Sequence, residues 1–151
     1  MKLFGIKKFS IQKGFTLIEL LIVIAILGIL AAGILVAINP VQKINQANDA
    51  NMKSNVGQIA TALQSYYTLS PTQVYPAGAD MTGLNLLVPD ELKVIPTAPT
   101  GYAYSYSTSG SGATAVAQVS FTLKAPAVSG SNIWCWRSAI GQAVAQAACA
   151  P

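Results

Sequence analysis

Glu19 is the residue whose type and position most demand a chemical explanation. It is the only charge in the run GFTLIELLIVIAILGILAAGILVAI, residues 14–38. A carboxylate in an apolar medium is costly unless it is paired, so Glu19 calls for an ionic or hydrogen-bonding partner. The other acids are Asp49, Asp80, Asp90 and Glu91, and the chain has no histidine. Acid–base or nucleophilic catalysis needs positioned partners with tuned pKa values, and these residues offer none, so no catalytic residue is nominated. No Gly-rich loop runs into a lysine, as a phosphate cradle would. Asp80, Asp90 and Glu91 are oxygen donors, but their spacing does not build the six or more ligands that calcium takes. The expectation is a non-enzyme without metal or cofactor. Cys135 and Cys149 lie on the same side of the hydrophobic run; in an exported chain they are expected to form one disulfide, the alternative being two buried thiols.

The element that positions Glu19 is a helix. A bilayer core takes ~20 apolar residues in helical form, and residues 15–38 satisfy that length. Before them, MKLFGIKKFSIQK carries Lys2, Lys7, Lys8 and Lys13 and no acid. Lysines on one flank hold that flank in the cytoplasm, which sends the remainder outward. The formal charge of +4 resides in this segment: beyond Gly14, five basic residues face five acidic ones. The neutral remainder has no electrostatic footprint for nucleic acid. A secretory signal peptide would have a shorter apolar region and no glutamate. An uncleaved signal anchor explains the hydrophobicity but not Gly14 followed by Phe-Thr-Leu-Ile-Glu.

The stretch KGFTLIELLIVIAILGILAA, residues 13–32, resembles the processing site and N-terminal helix of type IV pilin-like prepilins. That family includes pilus subunits and type II secretion pseudopilins. The resemblance is strong over residues 13–38 and looser to about Tyr67. It implies removal of residues 1–14 by a prepilin peptidase, with cleavage between Gly14 and Phe15 and N-methylation of Phe15. It also implies that Glu19 pairs with the Phe15 amine of a neighbouring subunit during assembly. The implied partners are copies of the same chain, other pilins, the peptidase, an inner-membrane assembly platform and the cytoplasmic membrane. Many type IV pilins have a helix-disrupting proline where this chain has Val36.

Further along, Ala25, Gly28, Ala32, Gly33 and Ala37 give small-xxx-small spacings that let helices approach closely. Asn39-Pro40 is expected to interrupt or kink the helix. Met52, Val56, Ile59, Leu63 and Tyr66 recur at helical spacing and predict a core-facing stripe on residues 39–68. The part before about Asn51, Asp49 included, reads as a solvated or inter-subunit connector. Residues 69–100 are proline-rich loop, with a short helical turn expected around 84–88. Tyr102, Tyr104 and Tyr106 alternate with small residues, Ser107–Ala113 reads as a turn, and Ala115–Leu123 alternates again, predicting a hairpin with the tyrosines on a partly exposed face. Ile133–Arg137 (IWCWR) makes a third strand. Either the Trp134/Trp136 pair or the Ile133/Cys135 pair faces the core.

The expected fold is α+β: a long N-terminal helix, membrane-spanning in its first half, packed in its second half on a three-stranded antiparallel sheet. Residues 69–151 form the head, which ends in the Cys135–Cys149 loop. Three functions fit: a type IV pilus subunit, a type II secretion pseudopilin, or an uncleaved membrane-anchored binding domain. The expected location is the cytoplasmic membrane, with a single pass and the head outside, followed by an extracellular pilus.

Overall fold

The computed structural model describes residues 14–149. All of the expected leader, residues 1–14, except Gly14 lies outside them, as does the end of the chain beyond Cys149. The chain forms two compact units that divide after Pro40.

The first unit contains α1 (Leu17–Ile38), apolar around its whole circumference and with no residue buried by the rest of the chain. A helix apolar on every side belongs in an apolar surrounding rather than against one flat core. Its 22 residues span ~33 Å at ~1.5 Å per residue, enough for a hydrocarbon core of ~30 Å. Among the described residues, one helical region is long and apolar enough to cross a membrane. At its end Asn39 takes a left-handed φ of 45°, a conformation asparagine tolerates better than most residues. Pro40 opens the next helix, where its missing N–H has no partner to lose. The expected interruption therefore falls at Asn39–Pro40.

The second unit is built on α2 (Pro40–Leu69) and an antiparallel meander of four strands in the order β1-β2-β3-β4. Met52, Val56, Ile59 and Leu63 are fully buried and Tyr66 packs partly against them, as the spacing predicts. Each such aliphatic side chain contributes ~1.5–3 kcal/mol by leaving water. Opposite them stand β1 (Ser105–Ser109), β2 (Val116–Thr122) and β3 (Ile133–Arg137). Tyr106, Val119 and Trp136 line up across these strands, with Ala143 of β4 next in the row. Of the two alternating pairs in β3, the tryptophans face the core: Trp136 is buried and Trp134 half-buried under Lys53. Cys135 is also buried, on the opposite face of the strand.

The sheet departs from expectation in three places. β4 (Gln142–Gln146) is a fourth strand where three were expected. Its sequence, QAVAQ, is poor in β-branched and aromatic residues, so propensity does not announce it. Pairing with β3 and the Cys135–Cys149 disulfide hold it instead. β1 begins at Ser105 rather than Tyr102, because Tyr102 N–H closes a turn onto the Pro99 carbonyl. It continues to Ser109, so the connection is shorter than the expected 107–113 turn. It holds a 3-10 turn at Gly112–Thr114. The short helix α3 (Asp80–Leu84) begins earlier than the expected turn and runs into a 3-10 turn at Asn85–Leu87. Gly83 lets α3 close on β1, since a Cβ there would overlap the Tyr106 ring.

The tyrosines also depart from expectation. Tyr104 and Tyr106 are buried rather than surface-facing, and each hydroxyl has a partner. Tyr106 Oη donates to the Pro76 carbonyl at 2.8 Å and Tyr104 Oη to that of Pro96 at 3.0 Å. Tyr102 Oη donates to Asp49 Oδ1 at 2.7 Å.

The first turns of α2 are mostly exposed, as expected of a solvated connector, but Asp49 departs from that reading, being only 3 % exposed. Its Oδ1 also accepts from Lys124 N–H at 3.1 Å, and its Oδ2 from Ala125 N–H at 2.8 Å. Hydrogen bonds to a charged group are worth ~1.5–3 kcal/mol each, so this carboxylate pins the β2–β3 connection to α2.

Burial, and then the neighbouring Asp49 carboxylate, push the Tyr102 phenol up to about 12. Burial also raises Tyr104, against the hydrogen bond from Asn55. Because the folded pKa lies above the unfolded value of ~10, the contribution of Tyr102 is intact below pH ~10 and lost as pH rises through about 12. Denaturant midpoints of the full chain in detergent should therefore fall between pH 10 and 12, and fall less steeply in Tyr102→Phe. The same slope in both proteins would contradict this account.

Candidate assembly site

Thr16 caps α1. Its backbone is extended (φ −80°, ψ 150°), and its Oγ1 accepts the Glu19 N–H at 3.3 Å. Glu19 answers from the first turn: its Oε2 accepts the Thr16 N–H at 2.8 Å and the Thr16 hydroxyl at 2.7 Å. This is a capping box, in which each residue satisfies a helix-end group that would otherwise lack a partner. The carboxylate also lies at the positive end of the helix dipole, where negative charge is favoured. The segment T-L-I-E ahead of an apolar run is the sequence signature of this motif. Sequence analysis singled out Glu19 and missed Thr16, which that spacing identifies.

The structure brings three of the expected site residues to one place. Gly14 and Phe15 directly precede the cap, and the Phe15 side chain is exposed. Glu19 Oε2 holds the peptide nitrogen that follows Phe15, so the carboxylate sits one residue from the Phe15 nitrogen. Along α1, Gly28 and Gly33 face open space and would leave room for a close neighbour. The other expected pair is a separate feature of the head: Cys135 in β3 and Cys149 beyond β4 form a disulfide with Cα atoms 5.8 Å apart. It closes a loop worth ~3 kcal/mol in the chain-entropy model. The remaining acids do not converge. Asp80 accepts the Tyr106 N–H at 3.1 Å, Asp49 is engaged as described, and Asp90 and Glu91 lie in the turn after Pro89. Among the described residues, no three His, Cys, Asp or Glu gather as a metal site.

A capped carboxylate at the head of a bilayer-length apolar helix, followed in the chain by an α-helix packed on a small antiparallel sheet, makes a pilin-like α+β fold. Residues 10–35 match the prokaryotic N-terminal methylation motif. The chain is 43 % identical over 79 residues to a type IV major fimbrial protein FimA of Dichelobacter nodosus, covering 52 % of this chain and 48 % of that relative. A second FimA of the same organism is 49 % identical over 57 residues, covering 37 % and 35 %. The matched regions thus span half or less of these relatives. No solved structure matches the chain. In its motif and fold, the chain is similar to type IV pilin-like proteins.

Thr16→Val removes both the acceptor for Glu19 N–H and the hydroxyl donor, whereas Thr16→Ser keeps both. A lost cap of ~1 kcal/mol corresponds to roughly fivefold faster local opening. Amide exchange at Glu19 and Leu20 of the full chain in micelles should accelerate by about that factor in Thr16→Val and stay unchanged in Thr16→Ser. Equal exchange in the two variants would mean that the box does not hold this end of the helix.

Proposed function

We propose that this chain is the structural subunit of a type IV pilus, polymerised through α1. The observation that carries this reading is an apolar helix of membrane length which the chain nowhere buries and whose one charge is held at its N-terminal end. A prepilin peptidase removes the leader between Gly14 and Phe15, and the new Phe15 amine is methylated. The subunit waits in the cytoplasmic membrane with its head outside. An inner-membrane assembly platform then passes it into the growing filament, which extends outside the cell.

Two physical requirements are met by that route. Lipid tails and packed helices are similarly apolar, so helix–helix packing offsets extraction from the bilayer, and small residues such as Gly28 and Gly33 favour close packing. The carboxylate of Glu19 stays satisfied throughout. In the free subunit Thr16 supplies its hydrogen bonds; in the filament the Phe15 ammonium of a neighbour adds an opposite charge. A buried ion pair lacking one partner is strongly unfavourable, so only the axial offset that places ammonium against carboxylate is acceptable. Glu19 thereby sets the register. The relatives bear the name of fimbrial proteins, which favours a pilus over a secretion pseudopilus, and a structural role over an enzymatic one.

Glu19→Ala should be inserted and should accumulate in membranes like the wild type, while sheared filaments become short or absent. Filaments of normal length and amount from Glu19→Ala would contradict the register role. Cells that shed no wild-type filament while retaining processed subunit in the membrane would favour the pseudopilin alternative. An uncut chain would favour the anchored binding domain.

A further inference from the structure

Two residues, Asn39 and Pro40, separate the end of α1 from Val41. Val41 follows Ile38 by three positions, at most ~11 Å of fully extended chain. A headgroup layer adds ~5–7 Å to each side of the hydrocarbon core. Wherever α1 crosses a bilayer, the first turns of α2 therefore begin within or beside that layer. Their apolar side chains are bare: Val41 is 65 % exposed and Ile44 60 %. Val41 continues the helical spacing of the core stripe, through Asn45 and Asn48 to Met52. The head covers only the later positions: Asn45 and Asn48 are half-buried, and Met52 is fully buried.

The β2–β3 connection comes to the same end of the second unit. Its Lys124 and Ala125 N–H groups donate to Asp49, and Ala125, Pro126 and Ala127 share a groove of about 440 Å³ with Gln42 and Gln46. Val128 comes next, 63 % exposed, in a turn closed by the Ser131 N–H on the Val128 carbonyl at 3.2 Å. The other end of the unit is marked by Tyr67, whose hydroxyl donates to the Gly112 carbonyl of the β1–β2 connection at 3.3 Å. Residues 40–53 and 123–132 together contain Lys43, Lys53 and Lys124 and a single acid, Asp49, which is buried. Lys43, whose ammonium donates to Gln46 Oε1 at 3.4 Å, and Lys124 are both exposed. These two segments thus present apolar side chains beside cations and no exposed carboxylate.

We propose that Val41, Ile44 and Val128 form a rim that seats in the headgroup layer of the bilayer spanned by α1, with Lys43 and Lys124 toward the lipid phosphates. The rim rests on the membrane-held subunit of the pilus reading and adds to it a second element, the β2–β3 connection, that meets lipid. Connectivity chooses the occupant: α1 has bilayer length and Val41 lies three residues beyond it, so lipid is the surface these side chains reach first. Apolar side chains flanked by lysines suit that layer, where the former sink ~5–10 Å into the headgroup–acyl boundary and ammonium groups meet anionic lipid. The contact is made before assembly and given up when the subunit enters a filament. Three aliphatic side chains make a rim small enough to release.

A nitroxide spin label reports this contact through its collisions with oxygen, which concentrates in lipid, and with a nickel chelate, which stays in water. The full chain is placed in vesicles of phosphatidylethanolamine and phosphatidylglycerol with one added cysteine, Ser129→Cys, beside Val128. The unaltered chain, its own two cysteines bonded to each other, is the labelling control. At residue 129 oxygen collisions should exceed nickel collisions, as they should for Ile26→Cys within α1. For Ala113→Cys, in the β1–β2 connection at the far end of the unit, the order should reverse. Adding Val41→Asn and Ile44→Asn should move the residue 129 label several-fold toward nickel and leave the residue 26 label unchanged. If that variant does not insert, the residue 129 label in the otherwise unaltered chain decides. A water-exposed label at 129 with a lipid-buried label at 26 would overturn the rim and leave the membrane reading in place. A water-exposed label at 26 would overturn both. Shielding at 129 that disappears on dilution with lipid would assign the surface to a second copy and would also overturn the rim.

Discussion

The structure depends on one constraint: an apolar helix that the chain cannot bury for itself, led by a carboxylate that cannot be left without a partner. Burial of apolar surface is the main favourable term in folding, yet α1 forgoes it. Its side chains call for an apolar surrounding from outside the chain, which in the proposed function is first lipid and then other helices. In the proposed assembly, Glu19 turns that general attraction into a specific one. Greasy helices associate in many offsets; a helix end with a charge to neutralise associates in few.

Thr16 serves that carboxylate from within the chain. By donating its N–H and hydroxyl to Glu19 Oε2, it keeps the carboxylate hydrogen-bonded in a single copy. By accepting the Glu19 N–H, it completes the start of the helix. The head follows an opposite logic: it is self-sufficient. Its core lies between the α2 stripe and the tyrosine, valine and tryptophan rows of the sheet, and Asp49 ties the β2–β3 connection to α2. The disulfide closes β4 onto β3.

What was legible in the sequence follows from how far each signal reaches along the chain. The stripe Met52–Val56–Ile59–Leu63 and the apolar run of α1 are local periodicities, and both appear as read. Asn39–Pro40 announces its interruption through backbone chemistry alone. Asp49 was illegible as a buried residue, because its partners Tyr102, Lys124 and Ala125 are distant in sequence and two of them are backbone N–H groups. The tyrosines were misread for the same reason: their alternation was visible, but the carbonyls of Pro76 and Pro96 that allow their hydroxyls to be buried were not. β4 is the extreme case, a strand held by its neighbour and a disulfide against indifferent propensity. At the assembly site Glu19 stood out as a charge in apolar sequence. Thr16 passed unnoticed although the T-x-x-E spacing was present.

The most direct measurement is the intact mass of the chain in filaments sheared from whole cells, compared with that in the membrane fraction. A chain beginning at a methylated Phe15, abundant in the sheared material and carrying the Cys135–Cys149 bond, is the predicted result. A chain that retains Met1 and stays in the membrane would contradict it. In that case α1 would be a permanent anchor, and Glu19 would need another explanation.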